Sequence, residues 1–332
     1  MEQTDRRFFD ELAEYFLDRY DFGTECMVKL LQLSENYTFL IFDKESGQKK
    51  GVMRISRPGY HTLSELHSEL IWLKEIKKNT PIVVADAIPA VDGSCIQTVT
   101  NWKDSGEYIC MVYEFLEGKA PDESDEQKIV KEFCSLGETT AYLHKQVKEW
   151  NDAGKIDRFV WDYDTMIGKT PRWGRWQDAK DMKPDGEKLL NRTCEVIKRR
   201  LCSYGKGKDR FGLIHADLRI SNLLIEDNQI KVIDFDDCGY GWFLHDLASA
   251  VSFIEDNPIV PELIDSWLEG YRKIAELTQE DIHEIDTFIM QRRLQLLAWL
   301  TSHIDSDPVK QLNTGYYEGT IKLADRYLTK YE

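Results

Sequence analysis

The residues best equipped for chemistry lie between His215 and Asp237. His215-Ala-Asp217-Leu-Arg219-Ile-Ser-Asn222 is a polar run, and Asp234 follows twelve residues after Asn222 in Val-Ile-Asp234-Phe-Asp236-Asp237. The pattern reads as a polar loop, one β-hairpin and an acidic cluster at the hairpin's end. A hairpin returns the chain to its start, so Asp234 should arrive beside the loop that holds Asp217 and Asn222. Hard oxygen donors converging in this way suit Mg²⁺, which takes few protein carboxylates and completes its shell with substrate phosphates and water. The remaining carboxylate can accept a hydroxyl proton. Together these are the parts needed for phosphoryl transfer.

The elements around that run must position it. Residues 5–19 repeat apolar positions at helical spacing (Phe8, Leu12, Tyr15, Phe16). Short strand-like segments follow at 25–33, 37–42 and 50–55, then a helix over 63–77 capped by Thr62 or Ser64, then strands at 94–100 and 108–115. After Gly118 an acidic connector leads into an amphipathic helix carrying Ile129, Phe133, Leu136, Leu143 and Val147 on one face. Mostly helices remain, expected near 242–254, 260–275, 280–303 and 309–327. They are interrupted over 212–235, where Gly-Leu-Ile, Leu-Leu-Ile and Lys-Val-Ile-Asp-Phe read as strands. This order predicts an α+β chain in two lobes: a small β-rich lobe over 1–116 and a larger, mainly helical lobe over 117–332.

The combined motif resembles the catalytic loop and metal-binding segment of the protein-kinase-like fold, in the aminoglycoside phosphotransferase and choline kinase branch. That branch shows H-x-D-x-x-x-x-N and then [IV]-D-[FLW]-[DE]. The resemblance extends through Gly239-Tyr-Gly and His245-Asp246-Leu-Ala and covers most of the chain. It implies Asp217 as catalytic base, Asn222 and Asp234 as Mg²⁺ ligands, Asp246 as a structural support and His215 as a hydrogen bonder that holds the loop. Arg219, two residues after the base, is assigned to the transferred phosphate.

The resemblance makes the N-terminal lobe the nucleotide-binding one. Kinase-like lobes hold ATP phosphates with a basic residue on the third strand, paired to a helix Glu, and the matching strand here is Gly51-Val-Met-Arg54-Ile-Ser. Independent support comes from the helix over 63–77. Leu66, Leu70, Leu73 and Ile76 define its apolar stripe, and Glu69 falls within it. A carboxylate there needs a partner, and Arg54 is the candidate, in place of the more familiar Lys. Met111-Val-Tyr113-Glu114-Phe115-Leu-Glu117-Gly118 looks like the hinge, where backbone groups of Tyr113, Glu114 and Phe115 would pair with adenine. Gln32-Leu-Ser-Glu-Asn36 occupies the place of the phosphate-covering loop but lacks its glycines. Gly205-Lys-Gly207-Lys fails the Walker pattern. The aromatic stretch over 150–176 (Trp150, Trp161, Tyr163, Trp173, Trp176) has two readings, core packing or a wall for a cationic ligand.

Composition sets the outer bounds. The 332 residues carry 43 Lys+Arg against 59 Asp+Glu, a net −16, which argues against nucleic-acid binding by bulk charge. No apolar stretch suits a membrane span, and the N-terminal residues lack the apolar run of a signal peptide. Seven cysteines, odd in number and never in CxxC, read as reduced thiols of a cytoplasmic protein. The resulting expectation is an ATP- and Mg²⁺-dependent kinase acting on a hydroxyl of a small molecule, with an amine-containing metabolite or aminoglycoside favoured by the acidic charge. A serine/threonine protein kinase of the stress-response type and a kinase-fold binding module are the alternatives. Oligomeric state is left open.

Overall fold

The computed structural model describes residues 3–332 other than 24, 34–35, 101, 122–124, 181, 227–228, 304–308, 310–311 and 313–314. The chain forms two compact units, Met1–Asn79 with Val83–Gly118, and Thr80–Ile82 with Lys119–Glu332. The division falls two residues beyond the expected 116, and segment 80–82 goes with the second unit.

In the first unit, helix α1 (Gln3–Leu17) precedes strands β1 (Cys26–Leu33), β2 (Asn36–Asp43), β3 (Lys49–Ser56), β4 (Ile96–Thr100) and β5 (Glu107–Glu114). Helix α2 (Leu63–Asn79) lies between β3 and β4 in the chain. The strands form one antiparallel sheet in the order β1-β2-β3-β5-β4. Side chains alternate across a strand, so Phe39, Ile41, Met53, Ile55, Cys110 and Val112 share one core with Leu12, Ala13 and Phe16 of α1. Arg54, between Met53 and Ile55, therefore belongs to the opposite face. Helix α2 begins at Thr62 with a reciprocal cap. The Glu65 amide donates to Thr62 Oγ1 (3.2 Å) and the Thr62 amide to the Glu65 carboxylate (2.8 Å). Its buried stripe is Leu66, Leu70, Leu73 and Ile76, with Glu69 buried among them.

The second unit is mainly helical: α3 (Glu126–Glu149), the single turn α4 (Tyr163–Met166), α5 (Pro184–Tyr204), α6 (Leu244–Ala250), α7 (Val260–Arg272), α8 (Gln279–Ser302) and α9 (Tyr316–Tyr331). Helices α3 and α7 pack with their backbones in close approach through Gly137 and Gly270; a Cβ at either position would overlap backbone atoms of the other helix. Helix α8 is buried on every side from Thr287 to Ala298, an environment that normally demands apolar residues all round. It nonetheless carries Gln291, Arg292, Arg293 and Gln295 there. Two small sheets complete the unit. Strands β6 (Val160–Trp161), β10 (Gly239–Trp242) and β7 (Phe211–Ile214) form one, in the order β6-β10-β7, and β8 (Leu223–Glu226) pairs with β9 (Gln229–Val232) in the other.

Several details differ from the sequence expectation, among them the last helix, which is Tyr316–Tyr331 where the sequence predicts 309–327. Strand β9 ends at Val232 and does not run to Phe235. The helix expected from Trp242 starts at Leu244, because Gly239–Trp242 is a strand. Helix α5 had no separate place in the sequence reading.

Candidate active site

The β8–β9 hairpin does what its sequence requires. Leu223 pairs with Val232, and the Ile233 amide donates to the Asn222 carbonyl (3.0 Å), one rung beyond the ladder. Asp234 therefore leaves the hairpin beside Asn222. Its φ of 65° is left-handed, costly for a residue other than glycine, and this ends the strand. The turn that follows is held from outside. The Cys238 amide donates to the Phe235 carbonyl (3.0 Å), and the buried Arg158 guanidinium donates to the carbonyls of Asp236 and Cys238. Trp161 Nε1 donates to the Asp237 carbonyl (2.7 Å).

The loop from His215 to Asn222 is anchored from below. Asp246, fully buried in the first turn of α6, accepts from the amides of His215 (3.2 Å) and Ala216 (2.8 Å) and from His144 Nε2 (3.0 Å). Ala216 is held at a left-handed φ of 67°, with its carbonyl bonded to Ser249 Oγ (2.8 Å). His215 bridges loop and hairpin. Its Nε2 donates to the Ile233 carbonyl (3.1 Å) and its Nδ1 accepts from the Asp217 amide (3.3 Å). Burial holds this imidazole below its ordinary pKa, so it stays neutral and keeps that tautomer. The loop-holding role implied for His215 and the supporting role implied for Asp246 both have these contacts behind them.

Asp217 sits at the centre, partly exposed, with its carboxylate gripped on both oxygens. Oδ1 accepts from Arg292 of α8 (2.7 Å); Oδ2 accepts from Asn222 Nδ2 (3.1 Å) and Arg219 Nε (3.3 Å). Burial alone would raise this carboxyl, but the two guanidiniums beside it outweigh burial and hold it below the usual carboxylate range. It is ionised, as a proton acceptor must be. Asn222 also donates Nδ2 to the Asp217 carbonyl (2.8 Å). That commitment of the amide nitrogen leaves Oδ1 as the acceptor end, suited to a cation. Asp234, exposed as a residue, follows Ile233 at the same hairpin end, so an amide oxygen and a carboxylate belong to this part of the chain. Among the described residues no three His, Cys, Asp or Glu side chains converge as a metal cage. Such a sparse all-oxygen set fits Mg²⁺, which binds few protein groups.

In the first unit, Arg54 and Glu69 meet as the helix periodicity predicts. Arg54 Nη2 lies 2.8 Å from each Glu69 carboxylate oxygen, and both residues are buried. Tyr113 joins them through its side chain, donating its hydroxyl to Glu69 (2.7 Å) and accepting from Arg54 (3.2 Å). The backbone of the segment expected to act as the hinge is partly committed already. The Glu114 amide donates to the Asp86 carbonyl (2.9 Å), and Phe115 follows the end of β5. The Glu114 amide is thus not a donor left for a base. Ser34 and Glu35, in the place of the phosphate-covering loop, lie outside the described residues.

Residues 29–283 match the family described as phosphotransferase enzyme family. The chain belongs to that family. It is similar to the amicoumacin kinase of Bacillus subtilis (strain 168), with 24% identity over 303 residues that cover 88% of this chain and 84% of that protein. Among solved structures, the microcompartment-associated aminopropanol kinase is 38% identical with a TM-score of 0.87, covering 96% of this chain and 98% of that one. The amicoumacin kinase hAmiN, in complex with AMP-PNP, Ca²⁺ and Ami, shares the fold at 22% identity with a TM-score of 0.76, covering 97% and 96%. This phosphotransferase is therefore a mixed α+β protein of the protein-kinase-like fold and a kinase-like enzyme of small molecules.

Two contributors to the phosphotransferase's site had no signal in the sequence, Arg292 at the loop and Arg158 at the turn after the hairpin, and nothing in the sequence assigned Trp161 a part in that turn. Each acts across a long chain separation. Trp161, Trp173 and Trp176 are buried, so the packing reading of the aromatic stretch describes them. Trp173 packs against Arg292, whose guanidinium carbon lies 5.0 Å from its ring centre.

Proposed function

We propose that this phosphotransferase uses ATP and Mg²⁺ to phosphorylate the hydroxyl of a small amino alcohol. The observation that carries this reading is the Asp217 carboxylate: ionised, fixed on both oxygens, and joined through Asn222 to the hairpin end that presents Asp234. The acceptor hydroxyl gives its proton to Asp217 as its oxygen bonds to the γ-phosphorus, and the bond from that phosphorus to ADP breaks. Asn222 and Asp234 would hold Mg²⁺, which when bound neutralises phosphate charge. Arg219 and Arg54 are assigned to phosphate oxygens, with Glu69 and Tyr113 orienting Arg54. The adenine donors, with Glu114 committed, fall to Tyr113, Phe115 and their neighbours.

The amine in the acceptor rests on two supports: the acidic chain charge and the likeness to the aminopropanol kinase. Two guanidiniums flank Asp217, so the hydroxyl end comes to the loop and the amine turns away from it. Small-molecule relatives favour a metabolite over a protein acceptor, and the intact Asp217, Asn222 and Asp234 favour an enzyme over a binding module. ATP use and free thiols in the described structure suit the cytoplasm.

The test is ATP consumption with product mass spectrometry across amino alcohols, aminoglycosides, neutral sugars and a peptide library. The expected result is turnover of an amino alcohol, reduced roughly 10²–10⁴-fold by Asp217→Asn. Turnover confined to peptides would refute the acceptor class, and an Asn variant with undiminished turnover would refute the base.

A further inference from the structure

Helix α8 buries two adjacent arginines in its middle, and their partners separate their roles. Arg293 is held by Glu255 (2.6 Å), Thr320 (2.8 Å) and the Tyr316 carbonyl (2.9 Å), contacts that tie α8 to α9 and to the turn after α6. Arg292 is buried to 1% exposure, and its ion-pair partner among the described residues is Asp217. Its other donors are committed as well: Nε to Ser252 Oγ (3.1 Å) and Nη1 to Gln295 Oε1 (3.2 Å). With Trp173 against its face, the guanidinium has one position.

A buried ion pair is not in general the choice that maximises stability. Replacing a buried ion pair with apolar side chains of similar volume is often neutral or favourable, because desolvating the charges is costly. What Arg292 supplies is direction. A carboxylate turns about a broad, two-fold terminal torsion. Arg219 Nε is farther from Asp217, at 3.3 Å, on a side chain about one third exposed, and it grips the other oxygen. Arg292, at 1% exposure in the middle of α8, gives the 2.7 Å contact to Oδ1.

We propose that Arg292 is a positioning residue for phosphoryl transfer, holding the Asp217 carboxylate in the orientation from which it takes the hydroxyl proton. This rests on the reading of Asp217 as the base. In this role Arg292 acts through Asp217 and not on a substrate.

The experiment measures kcat and KM of the 332-residue chain with ATP, Mg²⁺ and aminopropanol, or ATP hydrolysis by water should aminopropanol not react. The variants are Arg292→Gln and Arg292→Lys, each with and without Asp217→Asn. Arg292→Gln should lower kcat about 10²-fold, the cost of a misplaced group, while KM for both substrates stays within about threefold. Arg292→Lys, which keeps the charge but cannot span three partners, should lose about tenfold. It carries the test if Arg292→Gln does not fold. In the Asp217→Asn background, either change should alter the residual rate less than about twofold, since the group it positions is gone. Arg292 variants at the wild-type rate, or costing the same factor with Asn at 217, would overturn the inference. An Asp217→Asn variant at full rate would instead overturn the base on which it rests.

Discussion

His144, His215 and His245 surround the buried Asp246 carboxylate, and all three imidazoles are held below their ordinary pKa, first of all by burial. His245 is pushed down to about 3. The His144 ring lies between Asp246 and the Tyr271 hydroxyl (3.0 Å from each), with Nε2 donating and Nδ1 accepting, which is a neutral tautomer. In the unfolded chain each would take up a proton near 6.5. The unfolded state therefore binds more protons over this range, and stability rises with pH through it. The stabilisation is complete above about 6.5 and is lost as pH falls from there toward the folded values. By pH 5, His245 alone should cost on the order of 2 kcal/mol, at 1.36 kcal/mol per pH unit. Asp246 works lower down. Burial would raise it, but His144 outweighs that, so its contribution is present above the unfolded carboxylate value and fades as pH falls below about 4. Urea midpoints at pH 7, 6 and 5 should decline steadily; equal midpoints at pH 7 and 5 would mean that the histidines titrate freely in the folded protein. At this scale, Asp217, Asn222 and Asp234 were legible because a loop and one hairpin bring them together within twenty residues. Arg292 was not, because its pairing with Asp217 spans 75 residues and no periodicity points to it.

Strand β3 and helix α2 are coupled by one ion pair, since Arg54 and Glu69 are their charged residues at 7% and 1% exposure. Removing one partner of a buried pair strands the other charge at a cost of about 3–5 kcal/mol, whereas removing both leaves no stranded charge. Arg54→Met and Glu69→Gln should each lower the unfolding free energy by that order, and the double variant should cost at least about 1 kcal/mol less than their sum. Tyr113 bonds to both partners, so it should absorb part of the loss in each single variant. Strict additivity in urea denaturation would mean the side chains do not interact in solution. This pair was legible because a helix with a 3.6-residue repeat shows a misplaced carboxylate at once. Elements without a strong repeat were harder. Strand β10, Gly-Tyr-Gly-Trp, has two residues of low strand propensity and exists through pairing with β7 and the two-residue β6, far apart in the chain. Strand β9 looked longer than it is because Ile233 and Phe235 are apolar, yet the left-handed backbone at Asp234 stops the ladder. Helix α8 concealed its arginines because they follow an acidic opening stretch, Gln279 to Asp286, where charges read as a solvent face.

For the molecule as a whole, the acidic excess acts on whatever diffuses toward it. Part of the local acidity in the sequence is already neutralised. Asp162 pairs with Lys206 (2.7 Å) and caps α4, while Asp125 caps α3 and pairs with Lys128 (3.0 Å). Asp122 and Glu123, in the acidic connector after Gly118, lie outside the described residues. The net −16 remains, and its field attracts a cation from beyond contact distance. An amino alcohol carries one positive charge at neutral pH, so its encounter rate should exceed that of a neutral alcohol of the same size. Salt separates this long-range term from contacts in the site, because the Debye length falls from about 30 Å at 0.01 M to about 8 Å at 0.15 M. On the proposed function, with ATP and Mg²⁺ saturating and aminopropanol as the trial acceptor, kcat/KM should fall several-fold over that range, while kcat, measured with the acceptor already bound, should change little. A turned-over alcohol lacking the amine should show a flat kcat/KM and so report any effect of salt on the enzyme itself. A flat profile for aminopropanol, or an equal decline for both alcohols, would mean that the acidic charge keeps the protein in solution without recruiting its acceptor.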